Sequence, residues 1–195
     1  MRIRDIRHEE LIDAAIAATF EEGYATVTMT EIARKAGATA ASINYYFGSK
    51  EKLMEATMRR LMSTLRSVLI ARLQSAETPR ERLFAIVLAN FDDALFSAPQ
   101  CSFWIQFWAN APYSPRLTRL HEINRRRVLS HVRRELRQLV PPDVCEPLRE
   151  SIQAYMDGIW VEAAQAMQPT NPATARRNAE QVVRALLDGA ITAPD

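Results

Sequence analysis

Apolar residues recur at helical spacing through most of the chain, and glycine or proline interrupts the pattern at intervals. Leu11, Ile12, Ala15, Ile16, Thr19 and Phe20 mark a first helix from about Asp5 to Glu22, closed by Gly23. Thr28 followed by Glu31 is a capping box that starts a second helix, with Ile32, Ala33 and Ala36 as its small apolar face. Gly37 can take the left-handed conformation that ends it. Thr39 caps a third helix, whose Ile43 and Phe47, at i and i+4, face inward. Ser49 caps a fourth, from about Lys50 to Gln74, too long to belong only to the small bundle before it. Thr78-Pro79-Arg80-Glu81 is another capping box, with proline at the first helical position, and predicts a helix as far as about Phe96.

A short aromatic helix, about Gln100 to Asn110, follows, and Ser114-Pro115 opens one that runs to about Val140. A long helix near Cys145–Met167 and a last one near Pro172–Leu187, capped by Asn171, complete the pattern. The expectation is an all-α fold of nine helices. Residues 1–50 would form a helix-turn-helix DNA-binding domain, and residues 51–195 a helical ligand-binding and dimerisation domain.

Composition changes this picture little. Nearly half of the 195 residues are hydrophobic and only five are glycine, which suits helices. The net charge is +2, and residues 1–52 carry seven Lys/Arg against eight acids, so bulk basicity does not argue for DNA. Cys101 and Cys145 stand alone, without metal-knuckle spacing. His8, His121 and His131 show no HExxH pairing, and neither a Gly-rich phosphate loop nor a GxSxG elbow occurs, so no catalytic residue, metal or cofactor is expected. The start lacks a signal-peptide core, and no stretch has the apolar length to cross a bilayer, which predicts a cytoplasmic protein with no membrane partner. Arg116 to Arg137 holds eight arginines; opposite them Leu117, Leu120, Ile123, Val128, Val132, Leu136 and Leu139 form a buried stripe, so the arginines read as a solvated face.

The third helix presents Ala40, Ala41, Ser42, Asn44 and Tyr45 outward. Asn44 can pair bidentately with adenine, and the methyls of Ala40 and Ala41 can meet a thymine methyl. Tyr45 and Tyr46 can donate to phosphates, Lys50 sits at a helix start that also favours an anion, and Thr28 and Thr39 are placed to touch the backbone. Tyr46, beside Phe47, is equally suited to packing. Arg2, Arg4 and Arg7 are candidates for an arm along the duplex, with a loose terminus as the alternative.

In the second half, Trp104 and Trp108 stand one helical turn apart, with Phe103 and Phe107 on the adjoining row. Trp160 has Asp157 three residues before it. Aromatic faces with one carboxylate are what a quaternary ammonium needs, since it has no N–H to donate; the same residues also make an ordinary core.

Residues 11–56, with Thr30-Glu31-Ile32-Ala33, Gly37, Tyr46-Phe47 and Ser49-Lys50-Glu51, resemble the TetR family of transcriptional repressors. Family members often carry tyrosine and histidine where Asn44 and Tyr45 stand, which leaves the DNA sequence open. Phe107-Trp108-Ala109-Asn110, Pro115, Leu120, Arg126-Arg127-Val128-Leu129-Ser130 and Asp157-Gly158-Ile159-Trp160 look like the BetI branch, whose members control glycine betaine synthesis and respond to choline. The resemblance implies Trp104, Phe107, Trp108 and Trp160 as cage walls and Asp157 as the anionic group, with Asn90, Phe91 and Tyr113 as further candidates. An arginine partner is the alternative for Asp157. It also implies a homodimer through the last two helices, where Gly158, Ala163, Ala164 and Ala166 allow close approach and Val182, Val183, Leu186 and Leu187 add an apolar stripe. Such a dimer would bind a palindromic double-stranded operator. A TetR-type regulator of another cationic or hydrophobic compound, and a helical adaptor that binds no DNA, are the competing readings.

Overall fold

Each predicted cap that holds a helix start does so through a short local bond. Glu31 N–H donates to Thr28 Oγ1 (3.2 Å) while Thr28 N–H donates to the Glu31 carboxylate (2.6 Å), and Thr78 and Glu81 repeat the reciprocal pair. The computed structural model describes residues 3–166 and 170–192; Arg2, the side chain of Arg4 and the predicted helix end at Met167 lie outside what is described. Among the described residues there are nine helices and no strand: α1 (Ile3–Glu22), α2 (Met29–Lys35), α3 (Ala40–Phe47), α4 (Lys50–Leu73), α5 (Pro79–Ala89), α6 (Ala98–Asn110), α7 (Pro115–Leu136), α8 (Pro142–Gln165) and α9 (Pro172–Thr192). A single 3₁₀ turn, Ala111–Tyr113, joins α6 to α7. No helix is long and apolar enough to cross a membrane.

Several boundaries differ from the pattern, and α9 runs on to Thr192 instead of ending near Leu187. The predicted helix to Phe96 stops at Ala89, because the Asn90 side chain folds back to donate to Ile86 O (2.8 Å). Asp92 then accepts from Ala94 N–H and pairs with Arg72 at 2.9 Å, so short polar side chains outcompete the helical backbone here. The resulting turn sends Phe91, Leu95 and Phe96 into the core. Pro99 lies within the first turn of α6, where a missing N–H costs nothing, and Ser97 caps it. Pro142 likewise begins α8, and α7 ends at Leu136 in a tight turn in which Leu139 N–H (2.9 Å) and Val140 N–H (3.0 Å) both donate to Leu136 O.

One continuous apolar core runs from Leu11 in α1 to Leu187 in α9. α1 buries Leu11, Ile12, Ala15 and Ile16, whereas Phe20, expected inward, is 40% exposed. α6 lies between α1 and α8, with Phe103, Trp104 and Phe107 buried. α7 buries Leu117, Leu120, Val132 and Leu136 and turns its arginines outward, although Ile123 of the expected stripe is exposed. In α9, Val183 and Leu187 pack within the chain, Val182 and Leu186 are half-buried, and Val161 of α8 and Ile191 of α9 stay exposed.

Candidate functional site

The head begins with a well-specified turn. Gly37 has φ +58°, Ala38 N–H donates to Ala33 O (2.8 Å) and Gly37 N–H to Arg34 O (3.2 Å), a Schellman arrangement that only a residue tolerant of positive φ completes cheaply. Arg7 braces the same turn, donating to Gly37 O (3.1 Å) and pairing with Glu10 (2.7 Å), so it is committed to the head and does not form an arm. Ser42 N–H donates to Thr39 Oγ1 at 3.1 Å, starting α3. Ile43 and Phe47 anchor α3, and the His8 ring covers Phe47 at 4.6 Å. Outward stand Ala41, Asn44 and Tyr45, with Tyr45 75% exposed; Ala40, Ser42 and Tyr46 are half-buried, and Tyr46 meets Tyr45 edge-on at 5.4 Å. Thr28 and Thr39 are exposed; their oxygens accept the capping bonds, which leaves each hydroxyl hydrogen free to donate. Lys50 is turned back across the head and donates to Ala25 O (3.1 Å), and its burial there lowers its pKa.

The second feature is a cavity of about 230 Å³ enclosed by α4 to α8. Trp104 is its central wall: Trp160 stands at 5.6 Å and 84°, Trp108 at 6.3 Å and 62°. Asp157 is the carboxylate on the lining, and Gln153 Nε2 donates to its Oδ1 at 2.7 Å. Burial raises the Asp157 pKa, opposed by that hydrogen bond and by the charges of Arg125 and His121. Burial, and next Arg125, lower the His121 pKa, against the opposing pull of Asp157 and Glu122.

Trp104, Trp108, Asp157, Trp160 and Asn90 thus meet around one space. Phe107 and Phe91 do not reach it: both are fully buried, Phe107 against Trp104 and Phe91 against Phe96. Tyr113 is 86% exposed on the 3₁₀ turn, away from the cavity. Sequence reasoning missed the α7 wall of His121, Asn124 and Val128, together with Leu65 of α4. Those three α7 residues share one helical face, but the sequence does not say which helix that face meets.

The aromatic helix also touches the head. Gln106, on the side of α6 away from the tryptophans, accepts from Tyr24 N–H and donates to Thr19 O (3.3 Å) and Ser102 Oγ (2.9 Å). Tyr24 further packs on Phe103, and burial pushes its phenol up to about 12. Trp104 and Trp108 therefore share a helix with a direct hold on the main chain at the end of α1 and in its link to α2.

Comparison with known proteins points the same way. A family model for bacterial regulatory proteins of the tetR family matches residues 11–57, and one for the C-terminal part of BetI-type transcriptional repressors matches residues 79–191. The chain is 36% identical over 190 residues to the HTH-type transcriptional regulator BetI of Cronobacter sakazakii, covering 96% of this chain and 94% of that one. With the BetI regulator of Burkholderia thailandensis it is 34% identical over 95% of both chains. Among solved structures, a transcriptional regulator from Saccharomonospora viridis in complex with choline shares the fold at TM-score 0.76 and 20% identity, covering 91% of this chain and 95% of that one. The ketosteroid regulator KstR2 of Mycobacterium tuberculosis does so at TM-score 0.76 and 24% identity, covering 96% of both.

Proposed function

The chain belongs to the TetR family of bacterial transcriptional regulators, in its BetI-type branch, and from that membership we propose that it is a choline-responsive repressor of genes for glycine betaine synthesis. The observation that carries the choline reading is the cavity walled by Trp104, Trp108 and Trp160 with Asp157 on its lining. A trimethylammonium group cannot donate hydrogen bonds; ring faces and a carboxylate hold it by charge, each face contributing about 0.5–2 kcal/mol. The S. viridis structure, which carries choline on the same fold, and the BetI names of the relatives support the same class of ligand.

On DNA, the dimer formed through α8 and α9 sets two α3 helices in successive major grooves of a palindromic operator, about 34 Å apart. Exposed Val161 and Ile191, with open space around Gly158 and Gly189, support that face. Asn44 and the Ala40 and Ala41 methyls read base edges; Thr28, Thr39, Ser42, Tyr45 and Tyr46 grip phosphate and set register. Lys50 acts through the Ala25 carbonyl, fixing the link between α1 and α2, and reaches phosphate only if that bond opens. The domain division follows, with residues 1–50 reading DNA and residues 51–195 holding effector and partner in the cytoplasm.

Choline changes operator affinity to the extent that it binds the DNA-competent and released forms differently, typically 1–3 kcal/mol of coupling. Leu65 brings α4 to the cavity wall, and Gln106 ties α6 to the head, so occupancy has two routes to the spacing of the α3 helices. A gel shift with the DNA upstream of the chain's own gene, titrated with choline, tests this; binding that choline leaves unaltered, together with no calorimetric heat, would refute the choline assignment.

A further inference from the structure

A second cavity, about 390 Å³, lies against the first and shares its lining residues Leu65, Asn90, Asn124 and Val128. Its chemistry is different. Met62, Leu69, Ile70 and Leu73 of α4 and Ile86 of α5 make an aliphatic floor, with no tryptophan and no carboxylate on the lining. The charged groups are Arg66 on α4 and Arg127 on α7, with His131 beside them. Arg72 leans on Asp92 and Arg133 on Glu146, but neither Arg66 nor Arg127 has an ion-pair partner among the described residues. An apolar trough with two unpaired guanidiniums at its mouth is complementary to an anion that carries an aliphatic chain.

We propose that this cavity is a second ligand site, which takes a medium-chain monocarboxylate with its chain along α4 and its carboxylate between Arg66 and Arg127. The lining run from Met62 to Leu73 spans about 16 Å of helix, enough for an extended chain of about ten carbons. The site goes beyond the choline reading and does not depend on it, although the shared wall means that each occupant bears on the same four residues. Because α4 joins the head to the rest of the chain, an occupant here lies directly on the connecting element.

Calorimetric titration of the full chain with sodium decanoate below its micelle concentration, and with 1-decanol, tests the assignment. Decanoate is expected to bind, and Arg66→Gln/Arg127→Gln to weaken it at least tenfold while leaving decanol and choline affinities unchanged. Both arginines are exposed and unpaired, so the double variant should keep the wild-type circular dichroism and melting temperature. Decanoate that fails to bind, or that binds the double variant as well as wild type, overturns the site. The choline titration on the same samples reads the first cavity separately, so failure of one assignment is distinguishable from failure of the other.

Discussion

Removing the Trp108 side chain separates ligand recognition from packing better than any other change in the aromatic cavity. Trp108 is half-buried and touches two rings, Trp104 at 6.3 Å and His121 at 6.4 Å, whereas Trp104 is 3% exposed and packs on three. Trp104→Ala would carry the roughly 3–5 kcal/mol penalty of a fully buried aromatic, a large part of a domain's total stability. Trp108→Ala forfeits two edge contacts of about 0.5–1.5 kcal/mol each and should still fold. For the ligand it removes one cation-binding face, about 1–2 kcal/mol in a partly desolvated cavity, which is roughly a 5- to 30-fold rise in Kd. Isothermal titration with choline and with tetramethylammonium should show equal losses, and Trp108→Phe should recover most of them. Operator affinity without ligand should stay within about twofold of wild type. A folded Trp108→Ala protein that binds choline with the wild-type Kd would place the cation elsewhere.

Two further perturbations follow from charge and from the α6 contact. Burial raises the Asp157 pKa, so the folded protein holds that proton to higher pH than the unfolded chain; stability falls as pH rises from the ordinary aspartate range, near pH 4, through the raised value, and stays lower above it. Asp157→Asn should therefore melt higher than wild type at pH 7 but not at pH 4, while losing at least about tenfold in choline affinity; a variant melting lower at pH 7 would mean that the Gln153 hydrogen bond and Arg125 outweigh the desolvation. Choline binding to the wild type should weaken as pH falls through the raised Asp157 value. Gln106→Ala should lower stability by about 1–3 kcal/mol through the unpaired Tyr24 N–H, and should shrink the effect of choline on operator affinity while its Kd is unchanged. A gel-shift titration that shows the full response in this variant would confine the coupling to α4.

What could be read ahead of the structure was what local chemistry decides. The Thr28–Glu31 and Thr78–Glu81 boxes, the Thr39 and Asn171 caps and the Gly37 turn depend on residues within five positions of one another. The end of α5 escapes the pattern because Asn90 is a tolerable helix residue until its amide finds Ile86 O. In the cavity the tryptophans announced themselves by spacing and rarity. The α7 wall did not, because nothing in a run dominated by arginine reveals which helix His121 and Asn124 will face. Tyr113 misled for the opposite reason: an aromatic next to an aromatic helix, turned outward by the 3₁₀ turn that follows.

The grip of Gln106 on the head has a consequence for how such regulators diversify. Its two partners there, Tyr24 N–H and Thr19 O, are main-chain atoms, which every non-proline residue supplies. Side chains of the segment from Thr19 to Thr28, and beyond it the reading face of α3, can drift through mutation without breaking the connection to the effector cavity. New operator preferences can thus be selected under an inherited input, and the ancestry of the signal and the ancestry of its target need not run together.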